Sequence, residues 1–260
     1  MKLATFIAPG ATDPQAGEVR GNEIVAFSQG TVLDRLASGD RTPADGPSHR
    51  LDDVTLLAPV PRPPAIFCVG RNYAAHIAEM SSEKPDKPLV FLKLPNSSVP
   101  PAGPVKKPAV VEQLDYEAEL VLVMGPNEDI AGYAVADDVS ARDLQNSESQ
   151  WTRAKGFDSS CPWGPWITTA DEVADIRALR VTTHVNGDQR QDGNTSDLIF
   201  GPEELVAFIA ETCTVEPGAI ILTGTPSGVG AAMDPPTFLQ AGDVVRIEVE
   251  GLGALEHPVQ

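Results

Sequence analysis

Positive charge is scarce in this chain beside negative charge. Its 260 residues carry 19 lysines and arginines against 37 aspartates and glutamates, a formal net charge of −18. So acidic a surface repels phosphate backbones and anionic headgroups, which argues against nucleic-acid binding and against docking on a membrane. It suits a protein that holds a divalent cation. Cysteine is scarce as well: Cys68, Cys161 and Cys213 are an odd count without C-x-x-C spacing. They are expected to be small buried apolar residues in a reducing compartment rather than disulfides or nucleophiles. No stretch approaches the roughly 18 apolar residues of a membrane span. The opening MKLATFIAPG alternates like a strand and is too weak for a secretory signal. A cytoplasmic protein is the expectation. Also missing are G-x-G-x-x-G, G-x-x-x-x-G-K-[ST], H-E-x-x-H and G-x-S-x-G, and the glycine-rich Leu222–Gly230 has no lysine. Nucleotide and serine-hydrolase chemistry are therefore disfavoured.

What is present is punctuation: 22 glycines and 24 prolines, with 42% hydrophobic residues. That combination supports a sizeable core built from short strands and tight turns rather than a helical bundle. Strands are expected near Lys2–Ala8 and Glu23–Phe27, a short helix near Thr31–Ala37, and an exposed loop over Gly39–Ser48. Pro59, Pro61, Pro63 and Pro64 then impose an extended connector. The boundary is placed there, giving a small N-terminal domain over residues 1–60 and a larger one over 65–260. Strand-like runs follow at Ala65–Val69, Leu89–Leu94, Tyr116–Val123, Gly132–Ala136, Pro165–Thr168, Val181–Val185, Ala219–Leu222 and Val244–Val249. Three helices are expected: Asn72–Ser82, with Tyr73, Ile77 and Met80 on one stripe; Ser140–Trp151, opened by a Ser140/Asp143 capping pattern; and Gly201–Glu211. The fold class is α+β and β-rich.

The acidic residues carry the first chemical signal. In Asp115-Tyr116-Glu117-Ala118-Glu119-Leu120, strand alternation puts Glu117 and Glu119 on one face, about 6.6–6.8 Å apart along the backbone. Two carboxylates so placed can lean onto one hard cation, and an aspartate from Asp137-Asp138 would complete an oxygen-donor site. The plainer alternative makes them the wet face of a half-buried strand. His76 and Glu79, at i and i+3 on one helix, form either a surface ion pair or an imidazole oriented by a carboxylate to serve as a general base. Lys155, among Trp151, Gly156 and Phe157, is either solvated or an anion anchor.

Taken in order, the motifs resemble the fumarylacetoacetate hydrolase family, in its short bacterial form. The resemblance is carried by Gly70-Arg71-Asn72-Tyr73 with His76 and Glu79, Phe91-Leu92-Lys93, Asp115 to Leu120, Gly132-Tyr133, Asp138-Val139-Ser140-Ala141-Arg142-Asp143 with Gln145, and Trp151 to Lys155. It continues through Asn186-Gly187, Arg190-Gln191, Thr195, Ile199-Phe200, Thr223 to Gly230, Gly242-Asp243 and the ending Gly253 to Val259. It spans about residues 65–260. The resemblance implies a mixed β-sandwich roll, a homodimer, and one divalent metal per site, Mg²⁺ or Mn²⁺, with Ca²⁺ also fitting. By motif, Glu117, Glu119 and Asp138 are the implied ligands; Asp138 is preferred to Asp137 because it directly precedes Val-Ser-Ala-Arg-Asp. His76 and Glu79 become the water-activating pair on a lid helix, and Lys155 a catalytic cation. Gln145, Thr225 and Arg71 become contacts to a small 2-oxo acid. Lys93, which Leu94 separates from Pro95, is given no role. The implied activity is metal-dependent hydrolysis of a C–C bond in 2,4-dioxo acids of the acylpyruvate or fumarylpyruvate type. Oxaloacetate-type decarboxylation and dienoate isomerisation pass through the same enolate, and a non-catalytic metal-binding sandwich is the remote alternative. The lid region Ser81–Pro88 and the N-terminal domain are expected to set substrate choice.

Overall fold

A computed structural model describes residues 1–80 and 82–260. In chain order, β1 (Lys2–Ile7), β2 (Gln15–Arg20) and β3 (Glu23–Ala26) lead to helix α1 (Val32–Ser38), β4 (Ser48–Arg50) and β5 (Thr55–Leu56). After the proline connector come β6 (Ile66–Gly70), α2 (Ala74–Glu79), β7 (Leu89–Lys93), β8 (Ser98–Val99), β9 (Leu114–Asp115) and β10 (Ala118–Met124). Next are β11 (Ile130–Asp137), β12 (Ser140–Ala141), α3 (Arg142–Ser147), α4 (Thr152–Lys155) and β13 (Cys161–Thr169). The chain ends with β14 (Arg180–Val185), β15 (Asp188–Asn194), α5 (Pro202–Ala210), β16 (Ile220–Leu222), β17 (Val244–Val249) and β18 (Gly253–Pro258).

These strands make a large mixed sheet in the order β4-β3-β2-β1-β13-β11-β10-β16-β6-β7, with β5 on β1 and β8 on β13. A four-stranded sheet β15-β14-β17-β18 and the small pair β12-β9 complete the structure. The pairing of β16 with β6 is parallel, and that of β10 with β11 antiparallel. The N-terminal strands continue the large sheet through β1, whose Lys2 and Leu3 face Thr168 and Ile167 of β13.

All seven residues of β10 are buried, because the strand is covered on both faces. Leu120, Leu122 and Met124 enter the core shared with Val181, Val245 and Leu205. Val121 and Val123 enter a second core with Leu3, Leu36, Cys68 and Trp163. A strand buried on both sides loses the polar alternation of a half-exposed one. The wet-face alternative for Glu117 and Glu119 therefore does not hold: both lie on the inward side, at 6% and 2% exposure.

Helix α1 forms where expected, capped by Thr31, whose hydroxyl accepts from Asp34 N at 3.1 Å while the Asp34 carboxylate accepts from Thr31 N at 2.8 Å. The helix expected over Ser140–Trp151 is instead β12 and the shorter α3, with α4 beginning only after Trp151. Ser140 is paired with Asp115 in a ladder and its hydroxyl donates to Asp138 O, while Asp143 accepts from Glu112 N. Ladder pairing had already taken the backbone that the cap would have served. Helix α2 is shorter than the expected Asn72–Ser82, and Ser81 of the lid region lies outside the described residues. Of the cysteines, Cys68 and Cys161 are buried as expected; Cys213 is exposed, a correction that follows from its place after α5. Burial pushes the Cys161 thiol up to about 12 and that of Cys68 well above its usual value, so neither is a thiolate nucleophile. Among the described residues no helix is long and apolar enough to cross a membrane.

Candidate metal centre and active site

The site is built where β10 and β11 end side by side. Their register pairs Ala118 with Asp137 and Glu119 with Ala136, so the residues flanking the pair, Glu117 and Asp138, emerge together. Asp138 N donates to Glu117 O at 2.9 Å and locks that corner. One carboxylate oxygen from each of Glu117, Glu119 and Asp138 lies within 4.8 Å of the others, and all three residues are buried. Three hard oxygen donors at one point fit Mg²⁺, Mn²⁺ or Ca²⁺ and suit softer ions poorly.

Cations wrap two of the three. Lys155 Nζ donates to Glu117 Oε2 at 2.7 Å and Asp138 Oδ2 at 2.9 Å. Lys93 Nζ donates to Asp138 Oδ1 at 2.6 Å and to Val139 O at 3.2 Å. Arg142 spans Glu117 Oε1 at 2.6 Å and Asp115 Oδ2 at 2.8 Å. Among the described residues, Glu119 receives only a backbone donor, Gly224 N at 2.7 Å. The electrostatics divide accordingly. Burial opposes ionisation of Glu117, but the charges of Lys155 and Arg142 outweigh it and hold its carboxyl down at about 2. Burial and then the charges of Asp138 and Glu117 push the Glu119 carboxyl well above the usual range. Lys155, despite burial, is held protonated by Asp138 and Glu117. Buried carboxylates that oppose one another's ionisation in this way fit an oxygen-ligand site whose charge an ion would neutralise.

Asp137 is spoken for elsewhere. Its Oδ1 accepts from Glu117 N at 2.9 Å and its Oδ2 lies 2.9 Å from His257 Nε2, so it buttresses the corner from behind.

Above this floor lies a cavity of about 310 Å³, lined in part by Arg71, His76, Gln145, Lys155 and Thr225 together with the three carboxylates. Eight of the nine residues singled out in the sequence thus face one space. The ninth, Glu79, stands behind His76: its Oε2 is 3.2 Å from His76 Nδ1, and its Oε1 accepts from Gly228 N at 2.9 Å. Gln145 Oε1 accepts from Arg142 at 3.0 Å, which turns the amide so that its NH₂ is left for another acceptor. The Thr225 hydroxyl accepts from Gln191 Nε2 at 2.8 Å, leaving its own proton to donate.

The glycines of Thr223–Gly230 are spatial necessities. A Cβ at Gly224 (φ 104°) would sit 2.9 Å from Asn72 Cβ, and one at Gly228 (φ 103°) would sit 2.1 Å from Arg190 O. The loop's amides at Gly224 and Gly228 donate to the carboxylates of Glu119 and Glu79.

Sequence reasoning left Lys93, Arg142 and Asp115 without roles. Lys93 is 2% exposed. A lysine at the end of an otherwise apolar strand was the available signal, since burial without a partner is prohibitive. Arg142 and Asp115 stood inside quoted motifs, but their mutual contact is long-range.

The β-rich roll with a buried three-carboxylate cluster under a histidine-bearing helix defines a fold of the fumarylacetoacetate hydrolase type. The family model described as fumarylacetoacetate (FAA) hydrolase, C-terminal, matches residues 65–260, and the chain belongs to that family. It is 38% identical to the human protein "Oxaloacetate tautomerase FAHD2A, mitochondrial", across all of this chain and 91% of that one. Among solved structures, it matches a fumarylacetoacetate hydrolase from psychrophilic Exiguobacterium antarcticum with a TM-score of 0.90 at 35% identity, covering 100% of this chain and 99% of that one. It matches a 2-hydroxyhepta-2,4-diene-1,7-dioate isomerase from Mycobacterium marinum with a TM-score of 0.83 at 34% identity, over 100% and 98% of the two chains.

Proposed function

We propose that this chain is a divalent-metal-dependent enzyme that binds a 2-oxo acid, stabilises its enolate and hydrolyses a C–C bond in 2,4-dioxo acids of the acylpyruvate or fumarylpyruvate type. The observation that carries the reading is the pairing of His76 with Glu79 directly above the three-carboxylate floor. Glu117, Glu119 and Asp138 would hold Mg²⁺ or Mn²⁺, which would supply Lewis acidity towards the oxygens of a 2-oxo acid.

The chain's own groups do the rest. Glu79 accepts from His76 Nδ1–H, fixing the tautomer that leaves Nε2 as a base towards the cavity. His76 takes a proton from water, and the oxygen attacks the second carbonyl, one methylene beyond the oxo group. The C–C bond then breaks and its electron pair stays on the pyruvate fragment as an enolate. Lys155 stands beside the developing charge as a fixed ammonium, and the Gln145 amide and Thr225 hydroxyl donate to the substrate's oxygens. The proton held by His76 returns to the enolate carbon.

A second reading uses the same base on a carbon-bound proton, giving keto–enol tautomerisation or double-bond isomerisation without water. The names of the relatives favour it, an oxaloacetate tautomerase and a dienoate isomerase. Steady-state assays of the Mg²⁺-loaded protein with acylpyruvates, fumarylpyruvate and oxaloacetate separate the two. Pyruvate release from acylpyruvates is expected under hydrolysis. Interconversion of the oxaloacetate tautomers with no pyruvate release from any acylpyruvate overturns hydrolysis in favour of the second reading.

A further inference from the structure

Tyr116 stands beside the ligand Glu117, yet it has no part in the proposed chemistry and does not line the cavity. Its ring is buried in the main core at 2% exposure. Burial, and then the charge of Asp115, push the phenol well above its usual value, so the hydroxyl keeps its proton and serves as a donor. It donates to Gly228 O at 2.9 Å. Gly228 is confined on its other sides as well. Its φ is 103°, and a Cβ there would sit 2.1 Å from Arg190 O. Two residues before it, Pro226 O accepts from Nε2 of the buried Gln191 at 2.8 Å.

The N–H of this confined residue donates to Glu79 Oε1 at 2.9 Å, and Glu79 Oε2 lies 3.2 Å from His76 Nδ1. A line of contacts therefore runs from a core hydroxyl, through one backbone residue, to the carboxylate and the imidazole. Helix α2 cannot hold Glu79 in place by itself. It has six residues, buries only Ile77, and its N-cap residue Tyr73 makes no side-chain cap bond. Its first turn borrows a cap from elsewhere, Asp197 Oδ2 accepting from Ala75 N at 2.9 Å. Its last residue, Glu79, is held by Gly228 N in the same borrowed manner.

We infer that Tyr116 is a positioning residue: its hydroxyl aims the Gly228 amide at Glu79, and through Glu79 it keeps His76 in the orientation that proton transfer requires. This rests on the reading of His76 as the base. The hydroxyl acts at two removes from the imidazole, so its loss should reduce turnover without changing what the cavity binds.

The test is Tyr116→Phe, which keeps the ring and removes the donor to Gly228 O. Two readouts are taken on the Mg²⁺-loaded protein: steady-state kinetics, with acylpyruvate cleavage or oxaloacetate tautomerisation as the reaction, and amide hydrogen exchange read by mass spectrometry. We expect kcat to fall about three- to tenfold, the scale of one neutral hydrogen bond, with KM and Mg²⁺ affinity like the parent's. The α2 amides of Ile77 and Met80, bonded to Tyr73 O and His76 O at 3.0 Å, should exchange faster, while those of β10 should not. Tyr133→Phe, which removes the hydroxyl of another core tyrosine, on β11, is the control and should change neither readout. Parent-like exchange in α2 overturns the inference, as does faster exchange in α2 and β10 alike, which would make the hydroxyl a general support of the fold. An unchanged kcat in Tyr116→Phe alongside an impaired His76→Ala overturns this inference alone. If His76→Ala also turns over like the parent, the reading of His76 as the base falls and this inference falls with it.

Discussion

The floor of the site and its lid are held by different physics. Glu117, Glu119, Asp138, Lys93 and Lys155 are all at or below 6% exposure, fixed by the β10–β11 ladder and by charged contacts of 2.6–2.9 Å. The lid is a six-residue helix, α2, too short to be stable by itself. It buries only Ile77 and is tied down by polar latches: Glu79 to Gly228 N at 2.9 Å, and Ala75 N to Asp197 Oδ2 at 2.9 Å. The proposed binding floor therefore lies in a buried, ladder-paired part of the molecule, and the proposed base on a short helix held by few contacts. Damage to the floor should remove the ion and the fold's local order together. Damage to the lid should spare both and remove only chemistry.

The largest break in that comparison is Lys155→Met. It strips the shared cation from Glu117 and Asp138 and leaves buried charge uncompensated, a change worth about 3–5 kcal/mol. We expect a metal-free melting temperature many degrees lower, partly recovered by Mg²⁺, as read by differential scanning calorimetry. A variant that melts like the parent without metal would show that the floor does not depend on this cation. Next comes His76→Ala, which should cut acylpyruvate cleavage about 10²–10⁴-fold, the worth of a positioned general base, while Mg²⁺ affinity stays within a factor of two or so of the parent's. Oxaloacetate decarboxylation, if catalysed, should lose far less, because the bond it breaks already lies beta to the oxo group. Equal losses in both reactions would remove His76 from water activation.

The sequence showed the lid and the floor to different depths. Spacing alone placed His76 against Glu79, because i and i+3 contacts are local. It left Glu117 and Glu119 suspended between a wet face and a ligand pair, because burial on both faces of β10 is decided by α1, β6, β14 and β17, far away in the chain. The family resemblance preferred Asp138 to Asp137, and the structure groups Asp138 with Glu117 and Glu119 while Asp137 lies against His257. The strands β2 and β15 were missed: QAGEVR and DQRQDGN carry too little apolar alternation to register, and they owe their shape to neighbours. Gly193 of β15 marks a close approach that no local pattern shows, since a Cβ there would meet Pro226 Cβ at 2.4 Å.

A smaller effect sharpens the contrast through pH. Burial and its anionic neighbours raise the Glu119 carboxyl in the metal-free fold, so folding takes up a proton there, and metal-free stability falls as pH rises above the ordinary glutamate range towards the raised value. The ion must displace that proton, so Mg²⁺ affinity, and with it the Mg²⁺-induced gain in melting temperature, should rise as pH is raised above the ordinary glutamate range. A gain that shrinks as pH rises would contradict the assignment of Glu119.

The floor is proposed to be a single metal centre made by three carboxylates and independent of the lid. Calorimetric titration of Mg²⁺ into the parent, Glu119→Gln and His76→Ala tests it most directly. One ion per chain is predicted for the parent and for His76→Ala, with no measurable binding in Glu119→Gln; parent-like binding in Glu119→Gln, or its loss in His76→Ala, would contradict it.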